Sequence, residues 1–392
     1  MKIVLKDIVK QIRGVSFKPE DVEDTPGNFR ITLFRANNIE NGKLNYQNLY
    51  YIPREKVKDD QLIRANDILI SASSGSKNAI GKAVRISHDL NATFGAFCKV
   101  IRPIKCYSIY LGYYFQSPKY RTYIANTCQG ANINNIRSKD IDEITINLPS
   151  KDELNKRCKI LSNLSDLIDL REKQLHYFDG LIKSRFVEMF GDPINNSKNL
   201  PKYQFSNFIE FLTSGSRGWS KYFNEVGKEW FITIKNVKNC HINTANMQLI
   251  DAPNNAEAKR TKVRTGDLLI SITADLGRTG VVTEKIAKHG AYINQHLTCI
   301  RVNKKILNPI YIAYFMESPA GKKQFMSKNQ SAVKAGLNFD SIKSLQLLVP
   351  SLQQQNQFAD FVHRIDKSRL KIETSSNMIQ HMIQYNVKHQ IF

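Results

Sequence analysis

The stretch "GDLLISITADLGRTGVV" (266–282) reads as a turn, a buried strand and a glycine loop, and "NDILISASSGSKNAIGKAV" (66–84) opens with the same grammar. A short apolar run bounded by turn residues is the pattern of a buried strand. Asp67, Leu69, Ile70 and Ser71 match Asp267, Leu269, Ile270 and Ser271 at an offset of 200. Farther along, "IYLGYYFQSP" (109–118) matches "IYIAYFMESP" (310–319), and "IDEITINLPS" (141–150) matches "IKSLQLLVPS" (342–351), both at an offset of 201. An offset this steady, held over roughly eighty residues with one indel, marks an internal duplication.

Each copy follows one plan. A strand and turn ("LFRANNIENGKL", 33–44; "ITIKNVKNCHI", 232–242) precede the Asp-led strand and its Gly/Ser/Lys/Arg loop. A second strand ("FCKVIRP", 97–103; "LTCIRV", 297–302) and a short aromatic helix follow. That helix, 109–117 or 310–318, is expected to stop before Pro118 or Pro319, because proline disfavours helical geometry in its predecessor. Tyr110, Tyr113 and Tyr114, like Tyr311, Tyr314 and Phe315, stand at i, i+3 and i+4, the spacing of a stripe that faces a core rather than a nucleic-acid base.

A different kind of sequence follows each copy. Leu154, Leu161, Ile168, Leu175, Ile182 and Met189 recur every seventh residue, and so do Phe358, Ile365, Ile372 and Ile379. This is a coiled-coil period. The first run would form a helix ~54 Å long at ~1.5 Å per residue, stopped at "FGDP" by a glycine cap and a proline. Two amphipathic helices in one chain bury their narrow stripes most simply against each other, as an antiparallel pair. The alternative is that each packs on its own globular copy.

At 392 residues the chain exceeds a single ordinary core, which stops growing near ~250 residues, so two globular units are expected. The net charge is +22, with +8 in residues 1–150 and +11 in residues 200–350, which points to an anionic partner, nucleic acid first. Six cysteines form no CxxC and no pattern with the eight histidines, so neither a zinc site nor a disulfide framework is suggested, and a reducing cytoplasm fits. No apolar run approaches the ~20 residues of a membrane span, and the charged opening is unlike a secretory signal. A soluble cytoplasmic protein is expected.

Reactive constellations are missing. "GSKNAIGK" (75–82) departs from a phosphate-binding P-loop, since five residues separate Gly75 from Gly81 and Ala83 follows Lys82. "NPIY" (308–311) resembles an adenine-methyltransferase motif, but Ile310 replaces its second proline, and a proline in a first helical turn accounts for it. Asp251, Glu257 and Lys259 only loosely resemble a nuclease cluster. Binding without catalysis is the expectation.

The residues suited to DNA lie in loops. Ser73, Ser74, Ser76, Lys77, Asn78 and Lys82 surround two glycines in the first copy, and Thr273, Arg278 and Thr279 surround two in the second. Hydroxyl, amide and cationic groups near glycine suit phosphate contact. Base reading needs bidentate groups. Candidates are Arg35, Asn37, Asn38, Asn132, Asn134, Asn135 and Arg137, then Arg217, Lys235, Asn236, Asn294, Gln295, His296, Asn329, Gln330 and Lys334. Turn formation or capping is the competing role for many of them. Two copies with one frame and different loops should read two different short sequences on double-stranded DNA, held about one to one and a half helical turns apart by the helices.

The chain resembles the specificity subunits of type I restriction-modification enzymes over nearly its whole length. The resemblance rests on "VLKDIVKQIRG" (4–14), the paired "NDILIS" and "GDLLIS", "NATFGAFCKVIRP" (91–103), "NQHLTCIRV" (294–302), "INNIRSKDIDEITINLPSKDEL" (133–154), "LNFDSIKSLQLLVPSLQQQNQFADFVHRID" (337–366) and "FVEMFGDP" (186–193). It implies an α+β chain with a pseudo-twofold internal repeat. Two similar α/β target-recognition domains, 1–150 and 193–350, would be separated by two long antiparallel coiled-coil helices, 151–192 and 351–392.

The resemblance further implies no catalysis and no cofactor in this chain. Two modification subunits would methylate adenine with S-adenosylmethionine, and restriction subunits can join them for ATP- and Mg-dependent cleavage. One departure is that "SKDELNKRCKI" follows the first copy where the glutamine-rich "SLQQQNQFADF" follows the second, so the two docking surfaces can be unequal. The rival readings are a stand-alone bipartite DNA-binding repressor or architectural protein, and an unrecognised nuclease or methyltransferase.

Overall fold

The computed structural model describes residues 2–76, 79–127, 134–329 and 336–386. The chain divides into two compact units, Met1–Lys173 with Ile372–Phe392, and Gln174–Lys371. Each unit takes part of both long helices, which the sequence had suggested as segments of their own.

In the first unit the Asp-led run is the strand Ile68–Ser71, buried at all four residues. Cys98–Pro103 pairs with it antiparallel, Val100 opposite Leu69. Val9–Arg13 and Ala83–Arg85 complete a four-stranded sheet. Its apolar run is continuous because both faces are covered. Ile68 and Ile70 pack against Tyr110, Leu111 and Phe115. Leu69 and Val100 pack against Phe34 and Phe94 of a three-stranded sheet, in which Arg30–Phe34 runs parallel to Ala92–Phe94 and antiparallel to Tyr50–Pro53.

The second unit repeats this strand for strand. Ile209–Ser214, Leu297–Val302, Leu268–Ser271 and Thr279–Val281 form the four-stranded sheet, with Cys299 opposite Leu269. Glu229–Ile232 runs parallel to Ala291–Ile293 and antiparallel to Gln248–Ile250. The duplication read from the sequence is thus a duplication of topology.

The aromatic helices are Ser108–Tyr114 and Pro309–Glu317, with Tyr110 and Tyr311 fully buried. Pro118 and Pro319 do more than end them, because each begins a further helix, Pro118–Thr127 and Pro319–Ser327. A proline at the first helical position lacks an N–H that would have no partner there. The preceding serines cap these helices, with Ser117 Oγ accepting from Tyr120 N at 3.2 Å and Ser318 Oγ from Gly321 N at 3.3 Å.

The long helices are Lys151–Phe190 and Leu352–Asn386. The first stops at Gly191, whose φ of +76° lies in the left-handed region that favours glycine. Leu154, Leu161, Ile168, Ile182, Phe358 and Ile372 are buried, and Leu175, Met189, Ile365 and Ile379 are half-buried. Within the second unit Arg369 pairs with Asp179 at 2.6 Å, Arg185 lies over Phe361, and Phe190 packs on Phe358, so the helices run antiparallel. The alternative also holds, because Phe186 stacks on Tyr311 of the globular part with their planes 10° apart. In the first unit Leu154, Cys158, Leu161 and Ile383 join the cluster around Tyr110 and Tyr114.

Candidate nucleic-acid interface

The glycine loops close in the same way in both units. Ser71 N donates to Lys82 O at 2.9 Å and Gly81 N to Ser71 O at 2.8 Å, while Ser271 N donates to Arg278 O at 2.9 Å and Gly277 N to Ser271 O at 3.0 Å. Lys82 and Arg278 therefore hold equivalent places, although the loop spans eleven steps in one copy and seven in the other. A second turn abuts each loop. Ala72 N donates to Phe97 O at 2.9 Å and Ile136 N to Ala72 O at 2.8 Å; Ile272 N donates to His296 O and Leu337 N to Ile272 O, both at 3.0 Å. A glycine brings in a further segment, since a Cβ on Gly14 would lie 2.1 Å from Gly95 O and one on Gly215 2.1 Å from Asn294 O. At one end of each four-stranded sheet, several short segments thus present their side chains together.

Many candidate residues stand at this edge. Ser73 and Ser74 form a short strand paired with Asn134 and Asn135, and Ser74 Oγ accepts from Ser76 N at 3.1 Å. Ser76, Asn135 and Arg137 are exposed, although Arg137 leans on Asp140 at 3.2 Å. Lys82 has no ion-pair partner among the described residues. In the second unit Arg217 is exposed beside Ser216, which bridges to Asn294. Thr273 Oγ1 lies 2.7 Å from His296 Nδ1, and His296 Nε2 lies 3.0 Å from Gln295 Nε2. Arg278 is tethered by Asp275. Asn329 Oδ1 accepts from Gly336 N at 3.0 Å, which makes it a loop brace.

Other candidates take structural roles. Asn38 is fully buried, its Oδ1 accepting from Arg35 N at 2.9 Å and its Nδ2 donating to Asn45 O at 3.0 Å. Asn236 repeats the brace, with Oδ1 accepting from Thr233 N at 2.9 Å and Nδ2 donating to Asn243 O at 3.3 Å. Thr279 is fully buried, with Oγ1 donating to Ala313 O at 3.1 Å, and cannot reach DNA. Asn294 is mostly buried, and its Oδ1 accepts from His296 N at 3.2 Å. Arg35 is half-buried, its guanidinium 3.4 Å from the Tyr50 ring centre and 3.0 Å from Asn48 O. Asn37 and Lys235 are exposed. Lys77, Asn78, Asn132, Gln330 and Lys334 lie outside the described residues.

Three residues that shape the edge are not among the candidates read from the sequence. Gly14 and Gly215 are needed for the close approaches above. Lys99 is buried in an apolar strand and donates to Gln11 Oε1 at 3.0 Å and to Ile136 O and Ser138 Oγ at 3.3 Å, fastening the 136–138 segment. Burial holds the Lys99 ammonium below its ordinary pKa. Its only sequence signal is a lysine inside "FCKV", where a strand buried on both faces should carry none. Among the described residues, no three His, Cys, Asp or Glu side chains gather as a metal site, and no helix is long and apolar enough to cross a membrane.

A family model described as the type I restriction modification DNA specificity domain matches residues 1–176 and 202–380. The chain is 30% identical to the EcoKI specificity subunit of Escherichia coli K12, and 27% identical to the StySPI specificity subunit of Salmonella potsdam. Each match covers 91% of this chain and 79% of that protein. Among solved structures, the S subunit of a type I restriction-modification system from M. genitalium shares the fold at a TM-score of 0.54 and 14% identity, covering 100% of this chain and 96% of that one. A chain from a structure of type I complex assembly and conformational transition does so at 0.52 and 15%, covering 99% and 97%.

Proposed function

As the chain belongs to the type I restriction modification DNA specificity family, we propose that its two units read the two unequal halves of a bipartite target on double-stranded DNA, with the long helices as spacer. The observation that carries this reading is one topology built twice with different side chains at its loop edge. The frame, including the Asn38 and Asn236 braces, is repeated. The edge is not, since Ala96 and Phe97 stand where the second copy has Gln295 and His296. A protein reading one palindromic site would need two identical edges.

We assign no catalytic step to the chain. S-adenosylmethionine, ATP and Mg would be bound by partners: two modification subunits and, through them, restriction subunits, all in the cytoplasm. A docking platform is supported by large apolar side chains left exposed on the long helices. Ile160, Leu167 and Leu170, with Met378, Met382 and Tyr385, are exposed in the first unit, and Tyr177, Leu181, Val187 and Leu370 in the second. Exposed apolar surface of this kind marks interaction sites.

The test is co-expression with modification subunits followed by genome-wide mapping of methylated adenines. A split, asymmetric motif is expected, and exchanging residues 1–150 for a relative's block should change one half of it. A contiguous motif, or methylation or cleavage by the chain alone, overturns the reading.

A further inference from the structure

Residues 96–97 and 295–296 occupy one position in the two repeats, fixed by backbone bonds rather than by sequence alignment. Cys98 N donates to Gly95 O at 2.8 Å and Leu297 N to Asn294 O at 3.1 Å, so each turn has two residues between its ends. The second of the two, Phe97 or His296, gives its carbonyl to the start of the glycine loop, Ala72 or Ile272. The bridges Val15 to Gly95 and Ser216 to Asn294 fix the other side.

The side chains presented there are chemically opposite. Ala96 is exposed, and Phe97 is 67% exposed at the centre of the loop edge. An aromatic ring so exposed, flanked by Ser73, adds nothing to the core and presents an apolar face to whatever docks. In the second unit Gln295 and His296 form a relay. The Gln295 amide nitrogen can only donate, so His296 Nε2 accepts at 3.0 Å, and the ring's Nδ1–H is left to donate to Thr273 Oγ1 at 2.7 Å. Thr273 thus orients the ring, and the ring holds the amide. Gln295 Oε1 and the second amide hydrogen remain as an acceptor and a donor side by side.

We propose that this two-residue turn is the discriminating contact of each unit: Ala96–Phe97 reads a thymine by its C5-methyl group, and Gln295, oriented by His296 and Thr273, reads an adenine through N7 and N6. Alanine and phenylalanine are apolar partners for the thymine methyl, and a glutamine amide matches the adenine edge bidentately in the major groove. This rests on the bipartite reading above and adds the base class at one position of each half.

The experiment uses the full chain assembled with its modification subunits. Once the methylated motif is mapped, binding is measured on duplexes in which each thymine of the half-site read by the first unit is replaced singly by deoxyuridine. Each adenine of the other half-site is replaced singly by 7-deazaadenine. One deoxyuridine should weaken binding about three- to fourfold, the worth of one buried carbon, and Phe97→Ser should abolish that sensitivity. One 7-deazaadenine should weaken binding about tenfold, within the range for a lost bidentate contact, and Gln295→Ala should abolish it.

The double substitution Ala96→Gln with Phe97→His should change the preferred base at one position of the first half-site only. Circular dichroism melts confirm that these variants fold. A split motif whose thymines all tolerate deoxyuridine, or whose response survives Phe97→Ser or Gln295→Ala, overturns this inference and leaves the bipartite reading standing. A contiguous motif removes the bipartite reading itself.

Discussion

Arg102 grips Asp67 through two parallel bonds, Nε to Oδ1 at 2.7 Å and Nη2 to Oδ2 at 2.8 Å, and Arg301 does the same to Asp267 at 2.9 and 3.1 Å. Each aspartate is buried at the foot of a central strand and also caps its own turn, accepting from Arg64 N or Arg264 N at 2.8 Å. Removing the arginine strands a buried charge. Arg102→Met should lower the unfolding free energy by about 3–5 kcal/mol, read as a lower urea midpoint. Adding Asp67→Leu should restore much of the loss, because the uncompensated carboxylate rather than the missing attraction is what destabilises. A double variant as unstable as the single one would refute this account.

Gly14 and Gly215 test whether the loop edge depends on backbone proximity. Their neighbouring carbonyls leave no room for a Cβ, so Gly14→Ala or Gly215→Ala must push the strand end away from Gly95 or Asn294. The cost of such overpacking is about 1–3 kcal/mol. Thermal melting should detect it, with Gly180→Ala as the comparison, since nothing lies within 4 Å of a Cβ added there.

The helical seam of the second unit is an aromatic cluster. Phe358 is fully buried and meets Phe186 at 5.4 Å, Phe190 at 5.6 Å and Tyr314 at 5.3 Å between ring centres. Phe358→Ala should cost about 3–5 kcal/mol. The exposed Leu370→Ala, on the same helix, should change stability by less than ~0.5 kcal/mol. Equal losses in chemical denaturation would mean that the seam is not the site of cohesion.

His241 ties the second unit's globular part to its C-terminal helix, with Nε2 3.0 Å from Asp366 Oδ2 and Nδ1 2.6 Å from Asn239 O. Burial opposes charging the ring, but the hydrogen bond and charge of Asp366 outweigh it and Arg369, so the pKa lies above the ordinary 6.5. A raised folded pKa stabilises fully below the unfolded value and loses that contribution as pH climbs through the folded one. The stability difference between wild type and His241→Gln should therefore be largest below pH 6.5 and shrink on going alkaline. With 41% of the side chain exposed, the effect stays under ~1 kcal/mol. Urea midpoints across pH 5.5–9 measure it, and a difference that grows with pH contradicts the assignment.

The repeat, the buried strands and the long helices were legible in the sequence because a constant offset, a short apolar run and a seven-residue spacing are each written along the chain. The helices after Pro118 and Pro319 were not, because a proline that ends one helix is the same residue that can begin another. Among the loop residues, Asn38 and Asn236 share their chemistry with base readers. What makes them braces is a carbonyl seven residues on, which only the folded chain brings near. Thr279 was misplaced for a related reason. Its neighbours Gly277 and Gly280 suggested a loop, whereas it begins the edge strand Thr279–Val281 and is buried against the aromatic helix.

The braces and ion pairs direct their polar groups inward, whereas Ala96 and Phe97 project from the frame that carries them and Gln295 meets it through His296. Substitutions at those three tips therefore change what is recognised at little risk to folding. A lineage carrying this architecture can acquire a new vocabulary one residue at a time while its grammar stays intact.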